Sequence, residues 1–122
     1  MVLSIAAPKG LNTERRPGMK RAKFNVGQVV RHLKFEYRGV VVDVDPVYQG
    51  DDAWYEKVAT SRPPKDAPWY RVLVDDAETM TYVAERHLAQ PADASPIRHP
   101  MLKEFLVDAI DDGLYKARHT VN

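Results

Sequence analysis

The stretch Tyr37–Pro46 reads YRGVVVDVDP. Its β-branched run, bounded by a glycine and a proline, predicts a strand. Side chains alternate faces along a strand, so Val40, Val42 and Val44 share one face while Gly39, Val41, Asp43 and Asp45 share the other. Valines on both faces at the centre predict cover on both sides. Gly39 is placed to allow the sharp bend that a small barrel needs. Asp43 and Asp45 would stand about 6.5–7 Å apart on one face. Two readings follow. The carboxylates form an acid–base or metal-ligand pair, or they mark where the strand leaves the core and Asp45-Pro46 starts a turn.

Working outward, FNVGQVVRHL (Phe24–Leu33) reads as a loop entering a strand, with Gly27 at a turn or bulge. A connection of about twenty residues follows Pro46, long enough to suggest a binding loop. Within it, Asp51–Ala59 is expected to form a short helix capped by Asp51 or Asp52. WYRVLVDD and TMTYVA, joined by a short polar turn, predict a hairpin in which Tyr70, Val72 and Val74 alternate with Trp69, Arg71 and Leu73. Glu85–Leu88 should be a turn followed by a last strand or 3₁₀ element. Beyond the linker QPADASPIRHP, apolar residues at Leu102, Phe105, Leu106, Ala109 and Ile110 follow helical spacing. Pro100 suits a helix start and Gly113 a stop, so a C-terminal helix is predicted over residues 101–112. The chain is therefore expected to be mainly β, with a long loop between strands 2 and 3 and a C-terminal helix. Its divisions would be a basic, mobile arm over 1–22, a barrel over 23–91, and a linker with helix over 92–122. Met19 offers a second initiation point, which would make residues 1–18 an extension.

The 122 residues suit one domain with tails. The chain has no cysteine, which excludes disulfides, thiolate metal sites and cysteine nucleophiles and fits a reducing cytoplasm. No apolar run approaches the roughly 20 residues that cross a bilayer, and MVLSIAAPKG makes a poor signal peptide. The net charge of +1 is uneven. Residues 1–22 carry +4, residues 23–90 carry nine basic and eleven acidic groups, and residues 91–122 carry −1. Strong phosphate attraction is thus expected in the arm or in a local patch.

The residues carry no positive signal for catalysis. Ser4, Ser61 and Ser95 sit in tails or loops outside any nucleophile elbow, and there is no phosphate loop. His32, His87, His99 and His119 form no close-spaced ligand pair. A metal-dependent hydrolase using Asp43, Asp45 and His32 is a remote reading, and no cofactor or metal is expected. Lys20, Arg21, Arg31, Lys34, Arg38, Arg62 and Lys65 are the candidate phosphate contacts, although such clusters are usually solvated surface. Trp54 and Tyr55 either pack the long loop onto the barrel or anchor a protein partner.

Taken in order, GQVVRH, YRGVVVDVDP, RPPKDAPWYRVLVDD, TYVAERHL and PIRHP resemble the HspQ/YccV-like family, described as hemimethylated-DNA-binding and heat-shock proteins. The resemblance spans about Lys23 to Pro100. Ala67 departs from a glutamine common in that family. The resemblance implies a small SH3-like barrel and self-association. It also implies binding to hemimethylated DNA, help to a Lon-type protease in degrading selected substrates during heat stress, or both. It implies no catalytic residue. The alternative is an SH3-like protein-interaction module with no meaningful DNA affinity.

Overall fold

A computed structural model describes residues 21–111 and 113–118. Most of the expected N-terminal arm, including Lys20, lies outside the described residues. The strands are β1 (Val29–His32), β2 (Arg38–Asp45), β3 (Trp69–Val74), β4 (Met80–Ala84) and β5 (Leu88–Ala89). They form one antiparallel sheet in the order β4-β3-β2-β1-β5. Helix α1 (Asp52–Val58) lies in the long connection, capped by Asp51, whose carboxylate accepts the Trp54 N–H at 2.7 Å. A 3₁₀ turn (Glu85–His87) leads into β5. The sheet is open, with β4 and β5 as its edges, so its hydrogen bonds do not close the expected barrel among the described residues.

Pairing of β2 with β3 slips between Val41 and Asp43, which leaves Val42 as a bulge. Simple alternation therefore fails after Val42. Val40 and Val42 pack with Val29, Leu73, Ile97, Leu106 and Tyr115. Val44 instead joins Val41 against the cluster of Phe24, Val30, Tyr70, Val72, Val83 and Leu88. The irregularity expected at Gly39 thus falls three residues later. Gly39 serves close approach instead: a Cβ there would collide with Val72 Cγ1 and sit 2.6 Å from the Leu73 carbonyl oxygen.

The predicted C-terminal helix is corrected. Only one turn, α2 (Leu102–Phe105), is helical, and the chain then forms a hairpin of β6 (Leu106–Asp111) and β7 (Leu114–Ala117). Gly113, at φ 76°, serves the hairpin turn rather than a helix stop. Tertiary pairing overrides the helical spacing. The Val29 N–H donates to the Gly113 carbonyl at 2.9 Å and the Tyr115 N–H to Gly27 at 2.6 Å, so β7 extends the pairing ahead of β1. Leu106 and Tyr115 enter the core there. Arg38 ties down the preceding segment by donating to the carbonyls of Asp93 and Ser95 at 2.8 Å each, and it pairs with Asp75 at 2.9 Å.

Gly39→Ala is expected to lower stability by about 1–3 kcal/mol, because neither the Leu73 backbone nor Val72 can give way freely. Urea midpoints of the two proteins check this, and an unchanged midpoint would show that the β2–β3 contact yields.

Candidate functional site

The second face of the sheet carries Trp69, Arg71 and Tyr82, with Asp43 and Asp45 opposite Arg71 and Trp69 on β2. Five aromatic rings gather here. Trp69 lies 4.9 Å from Tyr48 and 5.2 Å from Tyr82 between ring centroids, with Trp54 at 6.2 Å and Tyr55 at 6.3 Å. Such tilted and edge-on contacts suit the ring quadrupoles. Tyr55 is buried and its hydroxyl donates to the Pro63 carbonyl at 2.6 Å. It is therefore a packing residue of the loop. Trp54 is half-buried and remains partly accessible.

The aspartate pair is neutralised inside the protein. Arg71 reaches Asp43 at 3.5 Å and Asp45 at 4.0 Å, and its guanidinium lies 4.7 Å from the Tyr82 ring centroid. The Tyr82 hydroxyl donates to Asp45 at 2.6 Å. Burial, then the neighbouring Asp45, hold the Asp43 carboxyl above its ordinary range. Burial and the bond to Asp45 push the Tyr82 hydroxyl up as well. His32 lies at the other end of β2, where its N–H donates to the Tyr37 carbonyl, so the three residues of the hydrolase reading do not converge. Among the described residues no three His, Asp or Glu side chains come together as a metal site.

A cavity of about 590 Å³ runs beside β4. All five β4 residues line it, since the strand pairs only with β3 and its other edge has no strand partner among the described residues. Trp54, Val58 and Ser61 come from α1 and the segment after it, and His32, Lys34, Phe35 and Tyr37 from the β1–β2 hairpin. His87 completes the wall, stacked on His32 at 5.6 Å and bonded through Nε2 to Ser61 Oγ at 2.9 Å. His32 Nδ1 accepts the N–H groups of Lys34 and Phe35, each at 3.1 Å. That leaves the proton on Nε2 of a neutral ring. Burial, then His87, lower the His32 pKa. Burial, then Arg86, lower that of His87.

The candidate cations differ in what already holds them. Arg38 is committed to the fold as described. Arg62 pairs with Glu56 at 2.6 Å and Lys65 with Asp52 at 3.3 Å, while Lys65 Nζ also sits 4.4 Å from the Tyr55 ring centroid. Arg21, Arg31 and Lys34 have no ion-pair partner among the described residues. Lys34 stands at the cavity, 5.5 Å from the ring centroid of Phe35, which is 68% exposed. The family model described as hemimethylated DNA-binding protein YccV like matches residues 22–113. The chain belongs to the YccV-like family. The match covers the five-stranded sheet, the long connection and β6, and ends just before β7. Within this YccV-like region, residue pattern alone pointed to Trp54, Lys34 and Arg31. It did not single out Tyr48, Tyr82, Phe35 or Met80. Their signal in the sequence is slight: Tyr48 follows the turn predicted at Asp45-Pro46, and Met80 and Tyr82 lie in the uncharged strand TMTYVA.

The two histidines set a pH dependence. Their folded pKa values lie below the ordinary 6.5, so the unfolded chain binds more protons in that range. Stability should be full above about pH 6.5 and fall as the pH drops below it. His32→Asn, whose amide oxygen can accept the same N–H groups, should flatten that fall in urea titrations between pH 7.5 and 5.5. An equal slope in both proteins would assign the effect elsewhere.

Proposed function

We propose that the chain is a DNA-binding module that distinguishes hemimethylated duplexes, reading a methyl group with the apolar mouth beside β4. The match to the YccV-like family over residues 22–113 carries this reading. An apolar surface supports it, because a methyl group offers no hydrogen bond and is sensed by contact. Phosphate attraction falls to Arg21, Arg31 and Lys34, together with the arm that holds Lys20. The sheet order and the 3₁₀ turn ahead of β5 support reading the domain as an SH3-like barrel left open at one seam.

A second reading is favoured by a separate observation. Met80–Ala84 is an uncharged edge strand, free of proline, that lies along a groove. Edges of this kind add an extended segment from another chain. On this reading the groove docks protein segments, including substrates delivered to a Lon-type protease under heat stress, or a second copy of the chain.

Lys34→Ala and Arg31→Ala should each weaken duplex binding and reduce the slope of log K against log salt by about 1. Fluorescence anisotropy with hemimethylated and unmethylated duplexes measures this. A flat salt response, or no methylation preference, would remove the DNA reading. For the second reading, Met80→Lys places a charge on the β4 edge. It should abolish any stimulation of substrate turnover by purified Lon-type protease. Turnover that does not respond to the wild-type protein would count against that role.

A further inference from the structure

A duplex presents its methyl group to water in the major groove, where a protein surface covers only part of it. Burying one methyl completely is worth only about fourfold in affinity. A domain with few unpaired cations gains most from methylation by enclosing the base that carries the methyl. Enzymes acting on single bases solve the access problem by extruding the base into a pocket. Three features beside β4 match that solution. The cavity, at about 590 Å³, falls within the range that holds small-molecule ligands. Its wall carries the rings of Trp54, Tyr82, His32 and His87, and the Ser61 hydroxyl, bonded to His87 Nε2, keeps hydrogen-bonding capacity for a base edge. At its rim Phe35 is held in water, 68% exposed, on the tight β1–β2 turn where Glu36 adopts φ 60°. Side chains of that kind fill or open base steps as wedges.

One cation at the mouth is placed to meet a phosphate. Lys34 lines the cavity and has no ion-pair partner among the described residues, whereas the lining Arg71 pairs with Asp43 and Asp45 and the lining Asp51 caps α1. We propose that the methylated base of a hemimethylated duplex swings out of the helix into the cavity beside β4, with Phe35 taking its place in the stack and Lys34 holding the adjacent phosphate. The inference rests on the DNA-binding reading above.

The test uses the full chain and duplexes with one 5-methylcytosine or one N6-methyladenine in a single strand. A 2-aminopurine stands next to the methylated base and reports its unstacking. Wild-type protein should raise the 2-aminopurine fluorescence several-fold on one of the two duplexes. A mismatch opposite the methylated base lowers the cost of extrusion and should tighten binding about tenfold. Phe35→Ala, a change at an exposed site, should keep salt-dependent binding but lose the fluorescence rise. Salt-dependent binding with no fluorescence change and no effect of the mismatch overturns base extrusion and leaves the DNA reading standing. A rise that Phe35→Ala leaves intact overturns the wedge. No salt-dependent binding to either duplex overturns both this inference and the reading beneath it.

Discussion

The bulge at Val42 sets the phase of the molecule. Before it, β2 alternates as a regular strand, with Val40 toward one cluster and Val41 toward the other. After it, Val44 points with Val41, and Asp43 and Asp45 take the face of Trp69, Arg71 and Tyr82. Without the extra residue, Val44 would lie on the aromatic face and the carboxylates would enter the cluster around Tyr70. Burying two unpaired carboxylates there would cost several kcal/mol each. With it, Arg71 and the Tyr82 hydroxyl meet both charges. The bulge thus sets the two carboxylates against Arg71 and Tyr82, both of which line the cavity.

Much of this architecture was legible from local pattern. β-branched runs and turn residues placed β1 to β4, the hairpin of β3 and β4, and a cap of α1 by Asp51 or Asp52, of which Asp51 serves. Two features escaped for the same reason, that pairing partners far along the chain decide them. The slip at Val42 is invisible in VVVDVD, since either register keeps valines on both faces. The β6–β7 hairpin was hidden by an apolar spacing that suits a helix. Asp112-Gly113, between two apolar stretches, was the available hairpin signal, and Val107 and Ile110 were the β-branched residues to weigh against the helix. What decided the matter was Leu106 and Tyr115 entering the same core as Val29 and Leu73, which no local pattern reports.

The candidate site was legible only in outline. Lys34, Arg31 and Trp54 could be chosen by residue type, but not sorted from Arg38, Arg62, Lys65 and Tyr55. The sorting depends on contacts at long sequence separation. Arg38 reaches across to Asp75, Asp93 and Ser95, and Tyr55 turns its hydroxyl inward to Pro63. Arg38 is thereby taken into the fold, Arg62 and Lys65 are ion-paired at the surface, and the apparent aromatic anchors divide into one packing ring and one half-exposed ring.

That conversion bears on how such a domain could recognise DNA. Residues 23–90 carry a balance of −2, and several cations are already paired with carboxylates. Phosphate contacts alone would give weak binding, indifferent to sequence and steeply lost with salt. Selectivity for a methyl group must come from surface that water leaves readily, and here that surface is concentrated beside one strand. Phe35, Val58 and Met80 are exposed around the same opening that Trp54 and Tyr82 line. An edge strand with no charge of its own is normally a hazard for aggregation. Here α1 and the β1–β2 hairpin flank it, leaving a recess rather than a flat edge. The negative balance of the domain and its aromatic cavity are therefore compatible features. On the reading proposed above, the site would rely on enclosure of an apolar group, with a small number of cations setting orientation.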